Sequence, residues 1–276
     1  MLELTLCNEL LAGEGQTLHE QCRTAKALGY AGLEIAPATL GVEPHLLDAG
    51  ARAAIRKTVE DAGLRVTGLH WLLAAYPDLS ITDPARQART AEVLIALVDL
   101  CADLGGTVLV HGSPAQRLRS PGMGDAALHE RLAAFFKPVA IAAERRGVTY
   151  CIEPLARSET EVITTVAEGA ALAEAVGVAA FRTMIDISAA GRQEPPVADL
   201  IRTWGPTGKI GHIHANDTNR GAPGTGDDPF HEIVAALLEV GWRAPVGVEP
   251  FRTVIDAGVT AAIAAATLRA CERTAR

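Results

Sequence analysis

Eight short stretches rich in apolar and β-prone residues recur along the chain, and an Ala/Leu-rich segment of helical period follows each of them. The strand-like stretches are 2–9, 31–37, 66–73, 107–113, 149–155, 182–188, 210–217 and 246–251. Their spacing of roughly 30 to 40 residues is about the size of one βα unit. Eight such units without a linker predict a single (β/α)₈ barrel, the TIM-barrel fold, over residues 1–276.

The helical segments show three- and four-residue apolar spacing, and most end in a glycine that is typical of a helix C-terminus. They are 17–28, 47–62, 86–104, 124–146, 162–176, 192–206, 230–240 and 258–272. The segment 192–206 fits this pattern least, because it carries three prolines. An open sheet of the Rossmann type is the alternative fold, but no G-x-G-x-x-G motif follows the first strand.

Charge and hydropathy limit the classes of partner. The net charge is −8 and no run of Lys or Arg forms a phosphate-tracking stripe, so we expect no nucleic-acid partner. No apolar stretch approaches the roughly 20 residues that cross a bilayer, so we expect no membrane association. We therefore expect a cytoplasmic protein that acts on a small molecule, as a homodimer or homotetramer.

Polar residues end four consecutive predicted strands. Glu153, Asp186, His214 and Glu249 are separated by 33, 28 and 35 residues, one βα unit each, so they should lie together on one rim of the barrel. Three carboxylates and one imidazole suit a hard to borderline divalent cation, Mn²⁺ most of all, with Mg²⁺, Co²⁺ or Zn²⁺ as alternatives. Asp186 taken alone fits a helix cap or an ion pair better than a metal ligand.

Other strand ends carry further candidates. We expect His212 and His214 to alternate across the pleat, so that only one of them points into the barrel. His70 and His111 end two earlier strands and would contact a substrate, although rim residues also tie loops down. The glycines at 221, 224 and 226 would let the loop after 217 fold tightly around a ligand.

Four motifs in the second half of the chain resemble those of a known family. These are "IEPLARSET", "IDIS", "GHIHANDTNRGAPGTG" and "VEPF". Together with the βα spacing, they resemble the xylose isomerase-like TIM barrel superfamily of sugar phosphate isomerases and epimerases, and within it the ketose 3-epimerases typified by D-tagatose 3-epimerase. The resemblance implies that Glu153, Asp186, His214 and Glu249 bind the metal, and that Glu153 and Glu249 are also the catalytic acid/base pair. It further implies that Glu159 and Arg220 contact substrate oxygens.

The implied reaction is proton abstraction next to a carbonyl, through an enediolate, in a metal-dependent sugar isomerase or epimerase. One departure concerns Ala189, which stands where the epimerase pattern has a substrate-contacting histidine. A metal-dependent lyase or dehydratase acting on a keto-sugar, inosose or 3-oxo-glycoside is therefore the main alternative. An abasic-site endonuclease and a scaffold without activity are weaker alternatives, the first opposed by the acidic charge.

Overall fold

The computed structural model describes residues 1–119 and 122–275, and its strands close into a parallel barrel in the chain order β1 to β8. The strands are β1 (Leu4–Cys7), β2 (Gly32–Ile35), β3 (Arg65–Leu69), β4 (Val108–His111), β5 (Thr149–Ile152), β6 (Phe181–Asp186), β7 (Ile210–Ala215) and β8 (Val246–Val248). Each pairs with its two neighbours, and β8 returns to pair with β1. The predicted (β/α)₈ barrel is confirmed.

Helices surround this barrel among the described residues. They are α1 (Glu9–Ala12), α2 (Leu18–Ala27), α3 (Ala49–Asp61), α4 (Pro84–Leu104), α5 (Asp125–Arg146), α6 (Val166–Val176), α7 (Ile187–Gly191), α8 (Val197–Trp204), α9 (Phe230–Glu239) and α10 (Ala257–Thr274). The chain closes α4, α5 and α6 with left-handed glycines, Gly105, Gly147 and Gly177, as the sequence predicts. In the described part of the chain, none of the helices has both the length and the apolar character of a membrane span.

Two helices were not predicted. The short helices α1 and α7 begin right at the ends of β1 and β6, where the sequence pattern extends the strands to residues 9 and 188. Four or five residues are too few to show a helical period, so their apolar residues look like a continuation of the strand. The prolines of the sixth segment are accommodated because α8 begins only after Pro196, and Pro206 falls in a following 3₁₀ turn.

Strand register sets the depth of the site. Asp186 of β6 pairs with His214 of β7, and His214 pairs with Gly247 of β8. Glu153 and Glu249 each follow their strands by one residue, with backbone amides bonded to the neighbouring strand. The carboxyl ends of four adjacent strands therefore stand at one level.

Candidate metal centre

The structure brings the four predicted rim residues together. One ligand atom each from Glu153, Asp186, His214 and Glu249 lies within 4.8 Å of the others. Every one of these residues is buried, with at most 5% of its surface exposed. Burying a carboxylate without an opposite charge costs free energy. Three buried carboxylates grouped with a single imidazole therefore indicate a cation-binding site.

Asp186 is held at both oxygens. Its Oδ1 accepts the backbone N–H of Ala189 at 2.7 Å and so caps α7. Its Oδ2 accepts the side-chain amide of Asn216 at 2.7 Å, and the Asn216 oxygen accepts the backbone N–H of Ser188 at 2.9 Å. Asp186 is therefore both the N-cap of α7 and a member of the cluster.

His214 lies between two carboxylates. Its Nδ1 is 2.9 Å from Oε2 of Glu249, and its Nε2 is 3.0 Å from Oε1 of Glu34, which stands in the middle of β2. The second oxygen of Glu34 lies 2.8 Å from Nε2 of His212. Glu34 thus fixes both imidazoles, and a hydrogen bond to Nε2 leaves Nδ1 as the nitrogen that faces the cluster.

The expected opposite orientation of His212 and His214 is wrong. Both side chains reach the same carboxylate inside the barrel, because residues two apart on a strand lie on one face. Gly247 makes room for them, since a Cβ there would lie 2.8 Å from His214 and 3.1 Å from His212. Glu34 is the residue that sequence reasoning missed. The signal was a lone acid inside the apolar strand "GLEI", where every residue is buried.

Electrostatics within the cluster favour a bound cation. Burial, followed by the charges of Glu249 and Asp186, raises the pKa of Glu153 well above its ordinary value. Burial and Glu249 raise the pKa of Asp186 to about 6. Burial would lower the pKa of His214, but the carboxylates Glu249 and Glu34 outweigh it and raise that pKa. Without a cation, the buried acids cannot all be ionised at the same time without strong repulsion. A bound divalent cation would remove this repulsion by offsetting their negative charges.

Glu153 depends on a glycine of the neighbouring strand end. Gly112 follows β4, and a Cβ at this position would lie 1.6 Å from Oε2 of Glu153. The buried Arg117 supports the same corner by donating to the backbone oxygen of Glu153 at 2.7 Å and to that of His111. The motif "HGSPAQR" therefore shapes the site through its glycine and its arginine.

A cavity of about 150 Å³ opens over the cluster. Glu159 and Arg220 line it and form an ion pair with each other, so both lie where a substrate contact was predicted. The Arg220 guanidinium also lies 4.3 Å above the ring of Phe251. Ala189 lines the same wall as Asp186.

The two other predicted substrate contacts lie outside the residues that line this cavity. His70 is fully buried, with Nε2 2.6 Å from Glu9 and 3.9 Å from Glu249. His111 is buried away from the cavity and does not make the predicted substrate contact. Its Nδ1 lies 2.6 Å from the Tyr150 hydroxyl, and its ring packs against Phe136 of α5. The side chain of this strand-end residue faces the helical layer. Trp71, next to His70, lines the cavity instead.

Comparison with known proteins gives concordant matches. The model of the family described as xylose isomerase-like TIM barrel matches residues 22–271. An L-ribulose 3-epimerase from Mesorhizobium japonicum is 32% identical over 218 residues, 78% of this chain and 70% of the relative. A D-psicose 3-epimerase from Agrobacterium fabrum is 40% identical over 105 residues, but the match spans only 38% of this chain and 36% of that relative. A solved L-ribulose 3-epimerase superposes with a TM-score of 0.83 at 23% identity, covering 100% of this chain and 96% of the other.

Proposed function

The chain belongs to the xylose isomerase-like TIM barrel family, and from that premise we propose that it is a divalent-metal-dependent sugar isomerase or epimerase. The observation that carries the proposal is the buried cluster of three carboxylates and one imidazole beneath a cavity. Relatives named as ketose 3-epimerases support a carbohydrate carbonyl substrate.

Glu153, Asp186, His214 and Glu249 would hold the cation. Their donors are mostly carboxylate oxygens with one imidazole, which fits Mn²⁺ best and also accepts Mg²⁺, Co²⁺ or Zn²⁺. The raised pKa values of Glu153 and Asp186 support the fit, because a cation is what allows these buried acids to ionise together. When bound, the ion supplies Lewis-acid stabilisation of the negative charge that forms on the substrate as its proton leaves.

The protein's own groups move the proton. In our proposal one of the two glutamates, Glu153 or Glu249, takes the proton from the carbon next to the carbonyl, giving an enediolate. The other glutamate returns a proton to the opposite face, which inverts the carbon. The stereochemistry of the substrate decides which glutamate acts first.

Arg220 and Glu159 would orient the substrate. Their ion pair at the cavity wall presents a guanidinium and a carboxylate to hydroxyl oxygens, and the Phe251 ring beneath Arg220 keeps the guanidinium in place. We propose that His70 stabilises the negative charge of Glu249, because its Nε2 lies 3.9 Å from that carboxylate and, against the lowering effect of burial, Glu9 and Glu249 raise the pKa of His70.

A lyase acting on the same enediolate is the second candidate. Ala189 favours it, since the small side chain removes a hydrogen-bond donor from the cavity wall and leaves space for a larger keto-sugar. The two reactions share proton abstraction and differ in whether the enediolate is reprotonated or expels a leaving group.

Products distinguish the two candidates. Protein loaded with Mn²⁺ is incubated with D-psicose, L-ribulose, D-fructose and a 3-keto-glucoside, and products are followed by NMR. We expect epimers of at least one ketose, and Arg220→Ala should lower kcat/KM by roughly 10²-fold without loss of metal. An unsaturated product or a released aglycone would establish the lyase, and no reaction with any member of the panel would oppose both.

A further inference from the structure

A second, larger cavity adjoins the candidate metal centre. This groove of about 890 Å³ lies between the segment after β1, the 3₁₀ turn Pro37–Leu40 and the segment after β8. Trp71 and Phe251 line both the groove and the inner cavity, so these two side chains form the wall that the spaces share.

The shared wall consists of exposed aromatic faces. Trp71 is 39% exposed and Phe251 is 41% exposed, although large aromatic side chains are usually buried. Trp71 holds its position with a left-handed backbone, φ 48°, a strained conformation of the kind that collects at ligand sites. Arg220 fixes Phe251, by its guanidinium against the ring and by its backbone oxygen, which accepts the Phe251 N–H at 2.9 Å. Two fixed aromatic faces suit the apolar C–H faces of sugar rings.

The groove's polar lining indicates the charge of its occupant. Its charged residues are the carboxylates Glu9 and Glu14, and neither Lys nor Arg is among the described residues that line it. Gln16, Thr17 and Thr39 add neutral hydrogen-bonding groups. Glu9 pairs with His70 and Glu14 accepts the backbone N–H of Ala257, so a phosphate or carboxylate substituent would find no free cationic partner in the described part of this lining, whereas an uncharged, hydroxyl-rich group finds hydrogen-bonding partners.

Size separates the two spaces. The inner cavity, about 150 Å³, is below the roughly 300–1,000 Å³ of ordinary ligand pockets, and it leaves no room for a second ring. We propose that the substrate is a keto-sugar that carries a second, uncharged sugar residue. Its keto-sugar part enters the inner cavity, and its second residue passes between Trp71 and Phe251 into the groove. The assignment of the keto-sugar part rests on the proposed function, whereas that of the groove rests on its own lining.

Binding of inert polyols tests the groove without requiring turnover. Calorimetry on the Mn²⁺-loaded protein compares sorbitol with isomaltitol, which is sorbitol carrying a glucosyl residue on its terminal hydroxyl. We expect isomaltitol to bind at least about tenfold more tightly. Equal or weaker binding of isomaltitol, or binding of neither polyol, overturns the proposal.

A filled groove provides the matched control. Ala38 is exposed and lines the groove but not the inner cavity, so Ala38→Trp should remove the preference for isomaltitol. The same change at the exposed Ala127 of α5 should preserve it. A preference that survives Ala38→Trp places the glucosyl residue elsewhere and overturns the proposal.

The same protein is then given D-fructose and isomaltulose in D₂O, and solvent exchange next to the carbonyl is followed by NMR. We expect faster exchange with isomaltulose. If the polyol preference holds while neither keto-sugar exchanges or reacts, the proposed chemistry fails and the groove assignment stands.

Discussion

The carboxylate of Asp186 caps the N-terminus of α7 and is also part of the candidate metal centre. Because Oδ1 and Oδ2 already accept bonds from Ala189 and Asn216, the orientation of the group is set before any cation binds. Such prior ordering lowers the entropy lost when a ligand is bound.

Replacement of Asp186 by Asn should therefore remove the metal. The amide keeps the size of the side chain but loses the negative charge, and its NH₂ group would face the donors of Ala189 or Asn216. We expect metal analysis of purified protein to give about one divalent ion per chain for the natural sequence and little for this variant. The exposed Asp78→Asn is the control, and full occupancy in Asp186→Asn would contradict its place in the centre.

Titration of Asp186 also predicts how metal-free protein responds to pH. The folded chain, with a pKa of about 6 at this group, binds the proton more tightly than the unfolded chain, whose Asp pKa is about 3.9. Its contribution to the free energy of unfolding is therefore complete below about pH 4 and declines as pH rises towards about pH 6. Compared with Asp186→Asn, urea unfolding should show a loss on the order of 2 kcal/mol over this interval. Parallel pH profiles of the two proteins would refute the shift.

Glu34 should control metal affinity without touching the metal. Glu34→Gln keeps the volume but replaces one acceptor oxygen with an NH₂ group, so His212 and His214 are no longer both held by hydrogen bonds. Loss of such a supporting bond usually weakens metal binding by about 10- to 100-fold. Competition titration with a chelating dye measures the effect, and the exposed Glu43→Gln should match the natural protein. Equal affinity of all three proteins would show that Glu34 has no positioning role.

The ends of the neighbouring strands β4 and β5 lie so close together that the Glu153 side chain fits only because residue 112 is a glycine. Gly112→Ala would place its Cβ 1.6 Å from the present position of Glu153 Oε2, so the carboxylate has to leave the cluster. We expect turnover to fall by roughly 10²-fold or more, as for a lost general base, and metal affinity to fall with it. Gly124→Ala is the matched control, since a Cβ there meets nothing within 4 Å. Normal turnover by Gly112→Ala would oppose a catalytic role for Glu153 in its observed position.

Elements with a repeating pattern could be predicted from the sequence, and short or single-residue features could not. The capping glycines and the βα spacing place the long helices and the strands to within a few residues. Helices α1 and α7 have no periodicity of their own and begin where a strand ends, so no pattern separates them from it. The direction of His111 was equally hidden, because its contact with Tyr150 depends on how β4 is oriented towards α5.

Closure of the barrel accounts for the parts of the site that sequence spacing cannot give. Equal βα spacing is enough to predict that Glu153, Asp186, His214 and Glu249 meet, because consecutive strands are neighbours. Glu34 lies 178 residues from His212 and reaches it only because β2 and β7 face each other across the barrel interior. That the whole of 1–276 is one domain stays a prediction.

The central claim is that Glu153 and Glu249 exchange a proton with the carbon next to a substrate carbonyl. The most direct measurement is deuterium uptake from D₂O at that carbon, by NMR, for the natural protein and for Glu153→Gln and Glu249→Gln. We expect uptake with a true substrate whether the product is an epimer or an elimination product, and a fall of roughly 10²-fold or more in each variant. Turnover of a keto-sugar without deuterium at that carbon would contradict the claim and indicate metal-assisted hydrolysis, with the four residues serving only to hold an ion and its water.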